Sequence, residues 1–115
     1  MKMIEAIIRK ERIEPVKTAL EGMGILGMTV TQVAGRGRQK GIALQWRAGE
    51  YRVDLLPKAK LEIVLDDEQC ETAVEAICKA AKTGKEGDGM IFVLPVGNVY
   101  RVRTNDAVDS CTAGN

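Results

Sequence analysis

Period-two alternation opens the chain. In residues 2–9, KMIEAIIR, Ile4, Ala6 and Ile8 share one face, while Met3, Glu5, Ile7 and Arg9 share the other. This predicts a strand with one fully apolar face and one mixed face. The period then lengthens. Ile13, Val16, Leu20 and Met23 recur at three- and four-residue steps with lysine and glutamate opposite them, which predicts a helix over about 11–23. Pro15 suits its first turn, and Gly22 and Gly24 its end. Residues 27–35, GMTVTQVAG, are rich in threonine and valine and predict a second strand. Alternation returns at 58–65, KAKLEIVL, where Leu61, Ile63 and Leu65 face one way. Asp66 or Asp67 then caps a helix running to about Lys82. Acidic Asp67, Glu68 and Glu71 lie at its start and basic Lys79 and Lys82 at its end, as the helix dipole favours. Its expected buried stripe is Val74, Ile77, Cys78 and Ala81. MIFVLPV at 90–96 predicts a fourth strand and NVYRVRT at 98–104 a short fifth, leaving 105–115 as a polar, flexible tail.

Between the second strand and residue 58 the pattern fails. Residues 36–57 carry five arginines and lysines before Asp54, are interrupted by Gly37, Gly41 and Gly49, and keep neither period. A stretch of this length between regular elements is usually functional or disordered; the plainer alternative is a β-hairpin extension whose ends pair as strands. The order is thus β-α-β, long loop, β-α-β. This is an α+β fold: a ferredoxin-like split β-α-β sandwich with a four-stranded antiparallel sheet, two helices on one face and the long loop between strands 2 and 3. The other sheet face, expected to carry Ile7, Val30 and Val64, has no element to cover it, which points to association with other subunits.

Composition narrows the chemistry. The 115 residues make one domain, and aliphatic residues must build its core because aromatics are 3% of the chain. A net charge of +1 gives no bulk attraction to nucleic acid or anionic membrane. No apolar run approaches the length of a membrane span, and the N-terminal stretch, which includes Glu5, does not read as a secretory signal, so a cytoplasmic location is expected. Three widely spaced cysteines, Cys70, Cys78 and Cys111, argue against a disulfide framework. The absence of histidine removes histidine-based triads and general bases and makes a zinc site improbable.

Two features remain. TGKEGDG at 83–89 places glycines between a helix and a strand, where backbone amides can approach a phosphate or a base; an ordinary turn is an equal reading, since neither GxxxxGK[ST] nor GxGxxG is present. Arg101 and Arg103 stand two apart on the expected fifth strand, and Arg36, Arg38 and Lys40 do the same at the root of the loop. Alternate cations on one strand face can clamp phosphate, or simply solvate a basic edge.

These blocks together resemble the P-II nitrogen-regulatory signal proteins from residue 1 to about 104. The resemblance is carried by KMIEAIIR, GMTVT at 27–31, GRGRQKG at 35–41, EYRVDLLPKAKLEIV at 50–64, TGKEGDGMIFVLPV at 83–96 and RVRT at 101–104, with matching spacing. It implies a homotrimer of ferredoxin-like subunits that binds ATP or ADP in clefts between them and 2-oxoglutarate beside Mg-ATP at the base of the loop. The loop at 36–57 would then engage a nitrogen-metabolism enzyme or a membrane ammonium transporter. By position, the resemblance assigns Thr29, Gly35, Gly37, Arg38, Gln39, Val64, Gly87, Asp88, Gly89, Arg101 and Arg103 to the nucleotide. It assigns Gln39, Lys40, Gly41 and Lys58 to 2-oxoglutarate and the loop, Gln39 to magnesium, and Tyr51 to the loop-tip tyrosine that some members carry uridylylated.

The chain also departs from the family. WRAGEY at 46–51 replaces the usual tyrosine-led tip, Met90 stands where a lysine or arginine is usual, Arg36 is an extra cation, and the usual acidic ending is missing. These departures keep open a variant that senses ADP or AMP, with bicarbonate as a further effector, in carbon metabolism. A slow ATPase, in which Asp88 and Gln39 orient a water, is the catalytic alternative; the sequence offers no nucleophile–base pair for it and favours a binding protein that is not an enzyme.

Overall fold

The computed structural model describes residues 1–36 and 55–111 and, by backbone alone, residues 42–46 and 49–53. Four strands form an antiparallel sheet: β1 (Lys2–Ile8), β2 (Thr29–Gly35), β5 (Leu56–Leu65) and β6 (Gly89–Pro95), in the order β2-β5-β1-β6. Two helices, α1 (Ile13–Glu21) and α2 (Asp67–Ala81), complete the sandwich, and β3 (Ile42–Trp46) and β4 (Gly49–Val53) pair as a separate two-stranded ladder. The ferredoxin-like arrangement expected from the element order is the one observed. The region at 36–57 that lacked a clean period contains the hairpin of the plainer alternative, with Ile42 opposite Val53 and Trp46 opposite Gly49.

The β1 alternation decides which sheet face is covered. Ile4, Ala6 and Ile8 are buried, and their register partners Ile63, Leu61 and Ala59 on β5 are buried with them. Val16 and Leu20 of α1 and Ala73, Ile77 and Ala81 of α2 close over that face. Small alanines on α2 let the helix lie close to the sheet. The stripe on α2 is therefore Ala73, Ile77 and Ala81. Cys78 is exposed and Val74 half-buried, so the expected stripe was rotated toward solvent by about one position.

Both helix ends follow their sequence signals. Gly24, at φ 79°, ends α1: its N–H reaches the Glu21 carbonyl at 2.9 Å, and the Ile25 N–H reaches the Leu20 carbonyl at 3.0 Å. This is a Schellman closure with Ile25 buried against the last turn. Asp66 precedes α2 in a capping box with Gln69, whose Oε1 accepts from the Asp66 N–H at 3.3 Å.

Two further expectations are corrected. Val30 pairs with Leu61 and so lies on the helix side of the sheet; the open face carries Ile7 and Val64, as anticipated, with Met3, Glu5, Lys60 and, on β6, Met90, Phe92 and Leu94. The register overrides a face assignment made from hydrophobicity, because one pleat step exchanges faces. The expected fifth strand is absent among the described residues. Only a Tyr100–Ala107 bridge occurs, followed by a turn at 102–104. Of the expected tail, residues 105–108 return as the second arm of this small hairpin: the Val108 N–H bonds to the Val99 carbonyl at 2.8 Å, and the Arg101 N–H to the Asp106 carbonyl at 2.9 Å.

Candidate functional site

The turn from Thr83 to Gly89 is built around one carboxylate. Asp88 accepts from the Thr83 N–H and the Gly84 N–H, each at 2.9 Å, from the Thr83 hydroxyl, and from Arg9 Nε at 3.1 Å. These bonds hold its carboxyl far below the usual carboxylate range. The Thr83 hydroxyl contributes most; partial desolvation opposes the shift, and the Thr83 and Gly84 amides and Arg9 reinforce it. Arg9 also donates from Nη2 to the Glu86 carbonyl at 2.6 Å, so one guanidinium at the end of β1 spans the turn. Gly84, Gly87 and Gly89 all have positive φ. At Gly89 nothing larger fits, because a Cβ would lie 1.8 Å from the Ile7 carbonyl oxygen.

Lys58 joins this turn to the base of the long loop. It sits opposite Val33 on β2, beside Gly35, and its ammonium donates to the Gly87 carbonyl. Partial burial, with the nearby Arg9 charge, pushes its pKa down, while Glu11 and Asp88 pull it back. The result is a cationic corner of Arg9 and Lys58 against glycine backbone, a surface that fits an anion. Because Asp88 is engaged by four donors, its part is to shape the turn.

The remaining anticipated residues lie elsewhere. Thr29 is on the open face opposite Glu62, and Val64 is opposite Met3. Arg101 and Arg103 are on or beside the hairpin turn, which corrects their expected placement on a strand face. That hairpin leaves β6 where the Val96 N–H bonds to the Met1 carbonyl at 3.1 Å. It therefore starts from the Lys2 end of the sheet, whereas Gly89 lies opposite Ile8 at the other end. Six steps along β1 separate these ends, roughly 20 Å at about 3.4 Å per residue. The glycine turn and the arginine hairpin thus join β6 at opposite ends. Gly37, Arg38, Gln39, Lys40, Gly41 and the Tyr51 side chain lie outside the described residues, so the magnesium assignment to Gln39 does as well.

Sequence reasoning missed Arg9 and Arg12. Arg12 donates from Nε at 3.0 Å and from Nη2 at 2.5 Å to the Ala80 carbonyl, closing the end of α2 just before the turn. Their partners lie far along the chain, and no local pattern announces them. Thr83 was legible in principle: a hydroxyl residue five before an aspartate in a glycine run suits a side-chain-closed turn.

The fold and the turn together define a small ferredoxin-like domain with a cationic corner at the base of a long loop. The family profile described as nitrogen regulatory protein P-II matches residues 1–106. The chain is 56% identical over 107 residues to nitrogen regulatory protein P-II 2 of Methanothermobacter thermautotrophicus, covering 93% of each chain. It is 53% identical to the P-II proteins of Pasteurella multocida and Azospirillum brasilense, in each case over 92% of this chain and 95% of the relative. The chain belongs to the P-II family of nitrogen-regulatory signalling proteins. Proteins of this family generally regulate rather than catalyse, and generally bind ATP or ADP and 2-oxoglutarate. No helix among the described residues is long and apolar enough to cross a membrane.

Proposed function

We propose that this protein is a cytoplasmic homotrimer that binds ATP or ADP in clefts between subunits and 2-oxoglutarate at the base of the long loop. The bound state is relayed through residues 36–57 to a nitrogen-metabolism enzyme or an ammonium transporter. The observation that carries this reading is that the glycine turn and the arginine hairpin join β6 at opposite ends. The glycine turn with Arg9 and Lys58 lies at one end of the sheet, and the hairpin bearing Arg101 and Arg103 starts from the other. In this reading a second subunit brings its hairpin to the first subunit's turn, and the phosphates meet both there. The open face, with Met90, Phe92 and Leu94 exposed beside Ile7 and Val64, supplies apolar surface for such packing.

In this reading Gly87 and Gly89 leave their backbone open to the phosphates, Arg101 and Arg103 neutralise them, and Thr29 and Val64 flank the base. Lys58 exchanges the Gly87 carbonyl for a carboxylate of the effector, and Gln39, Lys40 and Gly41 complete that end. With ATP, magnesium would balance phosphate charge through Gln39. Tyr51 is the candidate for covalent modification. A ligand moves the loop only by binding its two states unequally.

One observation favours a second reading. Met90 follows Gly89 and is 64% exposed where a cation is usual in the family. Loss of one charge-assisted contact costs about 1.5–3 kcal/mol, which would disfavour the most highly charged nucleotide and leave ADP or AMP, with bicarbonate as effector, the better ligand. Titration calorimetry separates the two readings. Micromolar ATP or ADP binding that is strengthened by 2-oxoglutarate with magnesium supports the first. Preference for ADP or AMP with no response to 2-oxoglutarate supports the second. No heat with any adenine nucleotide, or a monomer by light scattering, overturns both.

A further inference from the structure

The hairpin that carries Arg101 and Arg103 is tied down at its far side by a residue of another element. Its first arm leaves β6 at the Val96–Met1 bond. Its second arm ends at Asp66, the residue that caps α2. Asp66 Oδ2 accepts from the Ser110 hydroxyl at 3.0 Å, and Oδ1 from the Cys111 N–H at 3.0 Å. The Cys111 thiol then packs against the Met1 thioether, with Sγ 3.4 Å from Sδ. Between these anchors the hairpin is held by Val108 N–H to Val99, Arg101 N–H to Asp106, Asn105 N–H to Arg101 at 2.8 Å, and Asp106 N–H to the Thr104 hydroxyl at 3.4 Å. Tyr100 and Val102 are exposed and Val99 and Val108 only half-buried, so hydrophobic burial holds it weakly.

We infer that the Asp66 carboxylate is the clasp that positions the arginine hairpin, and that breaking it loosens Arg101 and Arg103 while leaving the sandwich intact. A hairpin of this length is marginal by itself, so a two-oxygen anchor at its open end decides whether it stays closed. Asp66 is a positioning residue here. Its consequence for nucleotide affinity rests on the function proposed above; its consequence for the hairpin does not.

The test compares Asp66→Ser, Asp66→Asn and Ser110→Ala in the full chain, by amide hydrogen exchange and ADP calorimetry. Serine keeps an N-cap oxygen for α2 but has no second oxygen for the clasp. Asparagine can accept from the Cys111 N–H and donate to the Ser110 hydroxyl, and should stay near wild type. The Arg101, Asn105 and Val108 amides should exchange about tenfold faster or more in Asp66→Ser and by a smaller factor in Ser110→Ala, with the Lys82 amide unchanged. ADP affinity should fall threefold to tenfold in Asp66→Ser. Hairpin amides that exchange at the wild-type rate in both Asp66→Ser and Ser110→Ala overturn the clasp. If the amides loosen as expected but the wild type takes up no ADP, the clasp stands and the nucleotide reading fails.

Discussion

The turn at 83–89 and the hairpin at 99–108 both present groups suited to an anion, yet they are built in opposite ways. The turn is rigidified from within: one carboxylate gathers four donors, and Arg9 and Lys58 tie it to β1 and β5. The hairpin is closed by backbone bonds between its arms and held at its open end by Asp66, with Cys111 against Met1. Charge-assisted bonds to a partly shielded group fix geometry before a ligand arrives, whereas an exposed arm keeps freedom that a ligand or a neighbouring subunit must remove. In the site proposed above, the backbone cradle would be the preformed half and the hairpin that carries the arginines the more adjustable one.

The largest effect that would break this contrast is at Gly89. Gly89→Ala places a Cβ against the Ile7 carbonyl at φ 112° and should cost more than about 3 kcal/mol in chemical denaturation. Gly84→Ala, with φ 87° but open space around it, should cost about 1–2 kcal/mol. Equal losses at the two positions would mean that the Ile7 approach does not constrain the turn.

Asp88→Asn tests the carboxylate. Its folded pKa lies below the unfolded value of about 3.9, so its stabilisation is complete above that value and is lost as pH falls through the folded pKa. The stability gap between wild type and Asp88→Asn should be constant from pH 7 to about 5 and narrow below about pH 4. A gap that widens on acidification would contradict the donor set described for this residue.

On the hairpin side the effects shrink. Asn105 holds φ 59°, and Asn105→Ala should cost about 1 kcal/mol at most, felt as faster exchange of the hairpin amides rather than as a shift in global unfolding. A loss of global stability as large as that of Gly89→Ala would make the hairpin part of the cooperative core. The smallest difference is chemical. Cys78 is exposed, whereas Cys111 is half-buried with its pKa raised by burial and by Asp66. Iodoacetamide at neutral pH should therefore modify Cys78 well before Cys111, as peptide mass mapping would record; the reverse order would mean that the tail does not rest on Met1 and Asp66.

Periodicity along the chain was enough to define most of the architecture. The alternation of Ile4, Ala6 and Ile8 and of Leu61, Ile63 and Leu65, the three- and four-residue steps of α1, and the caps Gly24 and Asp66 determined element types, order and the buried face. Those signals are local, and burial of one face enforces them. The face of Val30, the exposure of Cys78 and the loss of the fifth strand depended on register and on how closely α2 approaches the sheet, quantities set by partners distant in sequence. The same holds for the candidate site. The glycines and arginines were visible as motifs, but only the tertiary structure decided that Arg9 reaches across 79 positions to Asp88, that Lys58 rests on Gly87, and that Asp66 holds the tail. A hydrogen bond between distant residues leaves no periodic trace, because its geometry exists only once the sheet has brought the two ends together.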